Sequence, residues 1–343
     1  MKTTGKITNI LANFYYVQDA TNKVWECFAR TRMLKEGKLL IVGDSVEIEP
    51  SGTSQGIIVD LIPRKNKISK PTVANIDNVL VVFSTTEPDL DLYTLDRYLS
   101  FIRHELPEEK ICVCINKIDL KEINITDIYK NSGYEIFYVS ALTKKGLSNL
   151  FELFAEKTTV LAGPSGVGKS SLIKALAPNI DIKIGSLSAI KTGKHITRNI
   201  QLIPVSLENK FGFLVDTPGF SQLDFSGFNL QKILTTFKDL NNIGCAFDNC
   251  LHDDEEGCIL SFPEKLKKFP SSRIESYKKI LEEAQSQITY KTKEEEKTKL
   301  HGTKDKGTTL PKIDKLKREK SRKRMKQELK NFEIKDDEDE VVP

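Results

Sequence analysis

The order of two nucleotide-binding motifs is the feature that most constrains the fold of this chain. The segment from Gly163 to Ser170 reads Gly-Pro-Ser-Gly-Val-Gly-Lys-Ser, which matches the Gly-x-x-x-x-Gly-Lys-Ser pattern of a phosphate loop. An Asn-Lys-x-Asp motif lies upstream of it, from Asn116 to Asp119. In ordinary guanine-nucleotide-binding domains the phosphate loop comes first. The sequence therefore predicts a nucleotide site formed by a chain with rearranged connectivity.

The phosphate loop has the flanking structure that its chemistry requires. A predicted buried strand, 159–162, precedes it, and a predicted helix, 171–176, follows it. Glycines let backbone amides point at phosphate oxygens, and the helix N-terminus adds its positive end. Lys169 is expected to reach the β and γ phosphates, and the Ser170 hydroxyl to coordinate magnesium. The predicted contacts are Gly163, Pro164, Ser165, Gly166, Val167, Gly168, Lys169, Ser170 and Ser171.

The Asn-Lys-x-Asp motif predicts that the base is guanine. It follows a predicted buried strand, Ile111 to Ile115, and Asp119 can accept hydrogen bonds from the guanine ring N–H and exocyclic amine. Downstream, the Ala141 N–H can donate to the guanine carbonyl oxygen. The predicted base contacts are Asn116, Lys117, Ile118, Asp119, Ser140 and Ala141. Together the motifs predict binding of GTP and GDP, with an ATP-using phosphate-loop enzyme as a weaker alternative.

A third motif, Asp216-Thr217-Pro218-Gly219, follows another predicted strand, Phe211 to Val215. A carboxylate at this position can hold magnesium through water, and the Gly219 amide can contact the γ-phosphate, which predicts a nucleotide-dependent switch. Thr197 lies between the two magnesium-linked motifs and is the candidate that closes over the ion. The predicted magnesium ligands, with GTP bound, are Ser170, Thr197 and Asp216.

A cysteine and histidine cluster predicts one structural zinc ion. Cys245, Cys250, His252 and Cys258 form Cys-x4-Cys-x-His-x5-Cys. Three thiolates and one imidazole suit tetrahedral zinc, and a full set of protein ligands is typical of a closed structural site. The remaining cysteines are interpreted as core or surface thiols: Cys27, Cys112 and Cys114.

The order of predicted elements indicates a multidomain protein. The 343 residues, 39% of them hydrophobic, are enough for two or three cores. Short strands with turn residues between them predict an N-terminal β-barrel of the oligonucleotide-binding (OB) type: 6–11, 14–18, 24–29, 39–50 and 56–63. Alternating strands and helices then predict an α/β phosphate-loop domain: 78–84, 92–103, 111–115, 147–155, 158–162 and 170–177. A mainly helical zinc-binding domain and a charged, disordered tail complete the expected fold.

The predicted boundaries are 1–68 for the barrel, 72–228 for the circularly permuted nucleotide domain, 229–290 for the zinc domain and 291–343 for the tail. On the barrel, side chains suited to stacking and phosphate contact are Phe14, Tyr15, Tyr16, Arg30 and Arg32. Core packing is the alternative role for those aromatic residues.

Charge is unevenly distributed although the net charge is only +4. A basic run from Lys312 to Lys330 precedes an acidic end, Asp336 to Glu340. Such a run can bind nucleic-acid phosphates, or it can be a solvated tail. No apolar run approaches the roughly 20 residues of a membrane helix, and no signal-peptide pattern follows Met1. We therefore expect a cytoplasmic monomer without a membrane partner.

The motif order resembles that of the ribosome small-subunit-dependent GTPase A family, the circularly permuted GTPases of bacteria. The resemblance extends from about Thr4 to Glu283 and includes further short motifs: Phe14-Tyr15-Tyr16-Val17, Gly43-Asp44, Pro63-Arg64-Lys65-Asn66, Ala74-Asn75-Ile76-Asp77 and Asp96-Arg97. It implies magnesium-dependent GTP hydrolysis, stimulated by the small ribosomal subunit during late maturation, with ribosomal RNA as a partner. An alternative is an RNA-binding assembly factor that uses GTP as an occupancy sensor, with hydrolysis incidental.

The resemblance also implies roles for residues near the third motif, and here the chain departs from the family pattern. His195 resembles the proposed catalytic histidine, which orients or deprotonates the attacking water, although a histidine in a loop is often simply exposed. Ile196 stands before Thr197 where the family has further threonines, and Phe220 follows Gly219 where many GTPases have a glutamine. Glu256 replaces a proline in the zinc motif, and the helix at 273–277 either contacts ribosomal RNA or packs on the zinc module.

Overall fold

The computed structural model describes most of the N-terminal two thirds of the chain and parts of the remainder. The described residues are 2–69, 71–177, 200–207, 210–216, 223–240, 250–253, 258, 269–301 and 308–311. The chain divides into two compact units, Met1–Ala284 and Gln285–Pro343.

The N-terminal part is a closed five-stranded barrel. Its elements are β1 (Thr3–Leu11), β2 (Phe14–Asp19), β3 (Val24–Ala29), α1 (Thr31–Lys35), β4 (Ser45–Ser51) and β5 (Gln55–Leu61). The strands follow the order β1-β2-β3-β5-β4, and β4 pairs back with β1 to close the barrel. Closure leaves no exposed strand edge. This order, with the parallel pair β3 and β5 and a helix before β4, confirms the predicted OB-type barrel.

One predicted barrel strand begins later than expected. Residues 39–44 do not continue β4, because a buried carboxylate, Asp44, organises them into a turn. Asp44 accepts a hydrogen bond from the Ile41 N–H at 2.8 Å. It also forms a bidentate ion pair with Arg64, whose guanidinium donates to the two carboxylate oxygens at 2.6 and 2.9 Å. Gly43 has φ +92°, and a Cβ added there would lie 2.2 Å from the Ala74 carbonyl oxygen. The turn thus joins the barrel to the next domain.

Aromatic side chains of the barrel serve both core and surface. Trp25 is buried in the core, and its indole N–H donates to Asp19 at 2.8 Å. Phe14 is half-buried and packs against the exposed Phe28 with ring centroids 4.6 Å apart. Tyr15 and Tyr16 are also half-buried. The barrel therefore presents part of its aromatic surface to solvent.

The second domain is a sheet covered by helices on both faces. Its strands are β8 (Asn78–Ser84), β9 (Lys110–Asn116), β10 (Glu135–Tyr138), β11 (Thr158–Ala162), β12 (Gln201–Leu207) and β13 (Lys210–Asp216), and the short hairpin β6 (Lys67–Ile68) and β7 (Val73–Ala74) precedes them. Its helices are α2 (Leu92–Glu105), α3 (Thr126–Tyr129), a 3-10 turn (Leu147–Leu150), α4 (Phe151–Phe154) and α5 (Lys169–Leu176). The single helix predicted over 147–155 is therefore divided into a 3-10 turn and a short α-helix.

The strands follow the spatial order β10-β9-β8-β11-β13-β12. All neighbours are parallel except β12, which runs antiparallel to β13. The strand before the phosphate loop, β11, therefore lies between β8 and β13. Of these two neighbours, β8 comes from the part of the chain before the loop and β13 from the part after it. Because the carboxyl ends of parallel strands meet at one edge of a sheet, the loops after these strands share that edge.

Alternate residues of the central strands enter two different cores. On β8, Val79 and Val81 pack in the core that α2 covers, whereas Leu80 and Val82 pack in the core that α4 and α5 cover. This alternation explains why the strand is apolar throughout, as expected of a parallel strand that is buried on both faces. Cys112 and Cys114 on β9 lie in the second core.

The barrel and the second domain share one continuous sheet. Asn9 on β1 pairs with Gln201 on β12, so the two parts form an 11-stranded sheet. Beside this junction the Lys6 ammonium donates to the Thr158 hydroxyl at 2.7 Å, and burial lowers the pKa of Lys6 despite the nearby Asp77 carboxylate. This half-buried cation therefore links the barrel to the second domain.

Beyond β13 the described elements are helical and end in a hairpin. They are α6 (Leu230–Ile233), a 3-10 turn (Leu234–Thr236), α7 (Ser271–Lys297), β14 (Thr298–His301) and β15 (Thr308–Pro311). Secondary structure thus continues past residue 291, where the sequence predicts a disordered tail to begin. The basic and acidic runs after residue 311 lie outside the described residues. Among the described helices, none combines the length and apolar character needed to cross a bilayer.

A buried ion network attaches α7 to α2. Arg273 is 1% exposed and forms ion pairs with Asp96 on α2 and with Asp239, the latter at 2.8 Å. Its guanidinium also lies 4.9 Å from the Tyr129 ring and 4.6 Å from the Phe237 ring. Burial opposes the charged form, but the hydrogen bonds to Asp239 and the charge of Asp96 outweigh it and raise the pKa of Arg273.

A second ion pair between the same helices joins Arg97 to Glu283 through two hydrogen bonds of 2.7 and 2.5 Å. Four residues after Arg273, the Tyr277 hydroxyl donates to the Leu251 carbonyl. Of the two roles considered for the 273–277 helix, the structure supports packing, because both its arginine and its tyrosine are buried against protein groups.

Replacement of Arg273 by methionine is expected to lower the free energy of unfolding by about 3–5 kcal/mol, because two carboxylates lose their buried counter-charge. The measurement is urea unfolding followed by circular dichroism. Arg30→Met is the matched control, since Arg30 and Glu49 form a pair with exposures of 52% and 43%; its loss should cost less than about 1 kcal/mol. Equal shifts for the two variants would contradict the stabilising role of the network.

Candidate functional site

The phosphate loop connects β11 to α5 and is shaped by glycines in the left-handed region. Gly163, Gly166 and Gly168 have φ values of +138°, +85° and +91°. A Cβ at Gly163 would lie 2.1 Å from the Val82 carbonyl oxygen, and one at Gly168 would lie 2.4 Å from the Asn116 amide nitrogen. At these two positions both backbone conformation and space require glycine.

Lys169 folds back over the loop that precedes it. Its ammonium donates to the Gly163 carbonyl at 2.8 Å and to the Pro164 carbonyl at 2.6 Å. Ser170 is half-buried in the first turn of α5, whose first N–H groups have no partner within the helix. Unpaired amide donors at a helix N-terminus and a nearby ammonium have the chemistry that phosphate oxygens prefer.

Asn116, at the end of β9, joins the phosphate loop to the base-selecting segments. Its side-chain amide is 2% exposed, donates to the Val167 carbonyl at 2.9 Å and accepts from the Ala141 N–H at 3.0 Å. The sequence predicts that the Ala141 N–H donates to guanine, whereas in this structure it donates to Asn116. Three chain segments that are separate in sequence thus meet at one side chain.

The rest of the Asn-Lys-x-Asp motif forms a tight turn. Lys117 has φ +63°, the Ile118 N–H donates to the Val139 carbonyl at 3.3 Å, and the Asp119 side chain is exposed. In the neighbouring turn the buried Ser140 hydroxyl accepts from the Thr143 N–H at 3.0 Å. The Ile118 bond holds the two turns side by side, and the Asp119 carboxylate is open to solvent.

Sequence reasoning missed a further segment that contacts this turn. Thr85, directly after β8, donates its N–H to the Asn116 carbonyl at 3.0 Å and its hydroxyl to the Lys117 carbonyl at 2.8 Å. The Lys117 ammonium donates to the Glu87 carbonyl. The available signal was the polar Thr-Thr-Glu-Pro run at the carboxyl end of a buried parallel strand, where ligands usually bind.

The predicted magnesium and catalytic residues are only partly covered by the described residues. Asp216 is the last residue of β13, and its backbone lies opposite Leu161 on β11, at the sheet edge that carries the phosphate loop. His195, Thr197 and Gly219 lie outside the described residues. A serine hydroxyl and an aspartate carboxylate are hard oxygen donors, which is the ligand chemistry that magnesium prefers.

Three of the four predicted zinc ligands lie together. The ligand atoms of Cys250, His252 and Cys258 all lie within 4.8 Å of one another. The His252 Nδ1 atom is 3.7 Å from the Cys250 sulfur and 3.2 Å from the Cys258 sulfur. Tetrahedral zinc with its usual bond lengths places such ligand atoms about 3.5–3.8 Å apart. The described ligands therefore fit a metal ion, and the fourth, Cys245, lies outside the described residues.

The other cysteines are core residues. Cys27, Cys112 and Cys114 are buried, and burial raises the pKa of Cys27 and of Cys112 to about 11. Burial raises the pKa of Cys114 as well. These thiols remain protonated at neutral pH, so they lack the thiolate form that binds metal.

Comparisons with known proteins agree with this geometry. The family model of the RsgA GTPase matches residues 61–226, and that of the RsgA N-terminal domain matches residues 4–58. The small ribosomal subunit biogenesis GTPase RsgA of Alkaliphilus metalliredigens is 37% identical over 295 residues, which cover 83% of this chain and 99% of that protein. The protein of the same name from Microcystis aeruginosa is 35% identical, over 96% of this chain and 94% of its own length.

Solved structures show the same fold. The crystal structure of YjeQ from Thermotoga maritima is 29% identical, with a TM-score of 0.72, and covers 83% of this chain and 99% of its own. The structure of YloQ, a circularly permuted GTPase, is also 29% identical, with a TM-score of 0.69, and covers 83% of this chain and 96% of its own.

Gly168→Ala is expected to weaken GTP binding by roughly tenfold or more, because the added methyl group displaces the Asn116 amide that holds the phosphate loop. Isothermal titration with GTP measures it. Gly52→Ala is the matched control: Gly52 has φ +89°, and nothing lies within 4 Å of its added Cβ. Both variants carry similar backbone strain, so equal affinities would show that the contact with Asn116 is unimportant.

Cys258→Ser is expected to remove a bound zinc ion, since the site would lose a buried thiolate. Metal analysis of the purified, reduced full chain should find about one equivalent of zinc in the wild type and much less in the variant. Cys27→Ser should keep the wild-type content, because Cys27 lies in the barrel core. A wild-type chain free of zinc would eliminate the metal site.

Proposed function

The chain belongs to the RsgA GTPase family, and on that basis we propose that it is a magnesium-dependent GTPase. In this proposal it acts in the late maturation of the small ribosomal subunit, and the subunit stimulates its GTP hydrolysis. The observation that carries the proposal is the position of Asn116, bonded to Val167 in the phosphate loop and to Ala141 in the second base-selecting segment. These two bonds bring the motif proposed to bind phosphate next to the motifs proposed to bind guanine, so that one nucleotide can contact all of them. The names of the relatives supply the ribosomal role.

In this proposal each motif has one task. Asp119 pairs with the guanine edge, and Lys169 moves from the loop carbonyls to the β and γ phosphates when nucleotide enters. Ser170, Thr197 and Asp216 hold magnesium, directly or through water. When bound, magnesium neutralises charge on the phosphate oxygens. Gly219 contacts the γ-phosphate, and His195 orients the attacking water, because the glutamine position after Gly219 holds Phe220.

The modules on either side supply the ribosomal contacts in this proposal. The barrel exposes Arg30 and Arg32 together with the aromatic side chain of Phe28. Exposed cations beside an aromatic ring suit contact with RNA phosphates and bases. The proposal retains the division into 1–68, 72–228, 229–290 and 291–343, one structural zinc ion, a monomeric state and a cytoplasmic location.

A second candidate function rests on the sheet that continues from the barrel into β12. Asn9 pairs with Gln201, and the sequence places Gln201 four residues after Thr197. Nucleotide occupancy can therefore be sensed by the barrel without hydrolysis. In that case the protein is an RNA-binding assembly factor in which GTP acts as an occupancy signal.

GTP turnover measured with and without purified small subunits tests the proposed function. We expect slow intrinsic hydrolysis, on the order of 10⁻⁴ to 10⁻² per second, which is typical of P-loop GTPases to which no partner supplies a stabilising group. Addition of small subunits should raise it many-fold, whereas large subunits, as the control, should not. An unchanged rate with small subunits would reject the ribosomal role.

Two variants separate hydrolysis from sensing. Lys169→Ala should lose GTP binding, whereas His195→Ala should keep GTP affinity and lose the stimulated turnover. If the enzyme function is correct, neither variant supports subunit maturation in cells depleted of the wild type. Full support by the His195 variant, together with failure of the Lys169 variant, would favour the sensor.

A further inference from the structure

The loop between β8 and α2, residues 85–91, is fixed at both ends. At its start, the Ser84 hydroxyl donates to the Pro88 carbonyl at 2.8 Å. At its end, the Asp91 carboxylate caps α2 by accepting from the Thr94 N–H at 3.0 Å. Hydrogen bonds therefore hold both ends of this loop, although neither of the two nucleotide motifs includes it.

Thr85 is the residue of this loop that donates hydrogen bonds to the backbone of the Asn116–Asp119 turn. Its side chain is fully buried, its N–H donates to the Asn116 carbonyl at 3.0 Å, and its hydroxyl donates to the Lys117 carbonyl at 2.8 Å. It thus binds two successive carbonyls of the turn. A further hydrogen bond links the turn to the loop, because the Lys117 ammonium donates to the Glu87 carbonyl.

The turn needs such support because Lys117 is strained. Its φ of +63° lies in the left-handed region, which costs a residue with a Cβ about 1–2 kcal/mol. Strained residues persist when their surroundings define them from several sides. Without the Thr85 hydroxyl, the Lys117 carbonyl would lose the partner that fixes its direction, and the turn could relax.

The same loop also approaches the phosphate loop. A Cβ added at Gly166 would lie 3.4 Å from the Pro88 Cδ atom and 3.9 Å from the Glu87 carbonyl oxygen. The loop after β8 therefore packs against both halves of the nucleotide pocket. A shift of the Lys117 turn would move Asp119 relative to the phosphate loop.

We propose that Thr85 is a positioning residue that sets the affinity and selectivity of this site for guanine nucleotides by holding the Lys117 turn in place. This inference rests on the proposed function, because it takes Asn116 to Asp119 as the guanine contacts. GTP and GDP carry the same base, so both depend on Thr85. Base binding is equal in the ground and transition states, so Thr85 affects KM rather than kcat.

Thr85→Val tests the inference because valine keeps the shape and loses the hydroxyl. We expect GTP and GDP each to bind about tenfold more weakly, with kcat within about twofold of wild type. Thr85→Ser keeps the hydroxyl and should restore most of the affinity. Inosine triphosphate lacks the exocyclic amine that Asp119 accepts from, so the preference for GTP over it should fall in the valine variant.

Thr8→Val is the matched control. The Thr8 hydroxyl is also buried and donates to a backbone carbonyl, that of Tyr16, at 3.1 Å, but it lies on β1 in the barrel. It should bind nucleotide as the wild type does. Thr85→Ala, which cannot clash, provides the second measurement if the valine variant melts earlier than the control, and it should show the same loss.

Several results would overturn the inference. Wild-type affinity in both the valine and alanine variants would remove Thr85 from the site, as would a serine variant as weak as valine. Loss of kcat alone, or loss of GTP but not GDP binding, would place Thr85 at the γ-phosphate instead. If the wild-type chain binds no guanine nucleotide, the proposed function itself is rejected. If the wild type binds GTP tightly and Thr85→Val binds it with equal affinity, only the role of Thr85 is rejected.

Discussion

The nucleotide site depends on the side-chain amide of Asn116. Its amide N–H group and its carbonyl oxygen face different segments, so one side chain holds the Val167 carbonyl and the Ala141 N–H at hydrogen-bonding distance. Burial makes both bonds matter, because a buried polar group without a partner costs about 1–3 kcal/mol. The absence of a side chain at Gly168 leaves the space that this amide occupies. The two bonds of this side chain therefore hold the phosphate loop next to the segment at Ala141.

The modules around the site are attached by buried and half-buried charged side chains as well as by apolar surface. Asp44 with Arg64 orders the link from the barrel, Lys6 reaches across to Thr158, and Arg273 ties α7 to α2. Such pairs contribute little net stability relative to apolar packing, but breaking one is costly and each accepts only one geometry. They define how the barrel and α7 sit relative to the sheet and α2, which apolar contacts alone would leave less defined.

Local prediction succeeded where a single physical signal dominated. The strand 78–84 was predicted with its observed bounds because a parallel strand buried on both faces is apolar throughout. A strand and a helix were also predicted on the two sides of residues 163–168, and they are observed as Thr158–Ala162 and Lys169–Leu176. Prediction was wrong for the strand start at residue 39, since the turn there depends on the bond of Asp44 to Arg64, which lies 20 residues after Asp44. It missed Thr85, whose bonding partners lie over 30 residues away.

The sequence by itself determined which motifs the chain carries, their permuted order and the residue types able to bind phosphate, guanine and a metal ion. These are local properties, because glycine conformations, strand alternation and ligand chemistry depend on neighbouring residues. Only the tertiary structure decided that β11 lies between β8 and β13, that Asn116 joins three segments and that the loop after β8 supports the base-selecting turn. Those features depend on hydrogen bonds between residues distant in sequence, which form only when the sheet has brought the carboxyl ends of its strands to one edge.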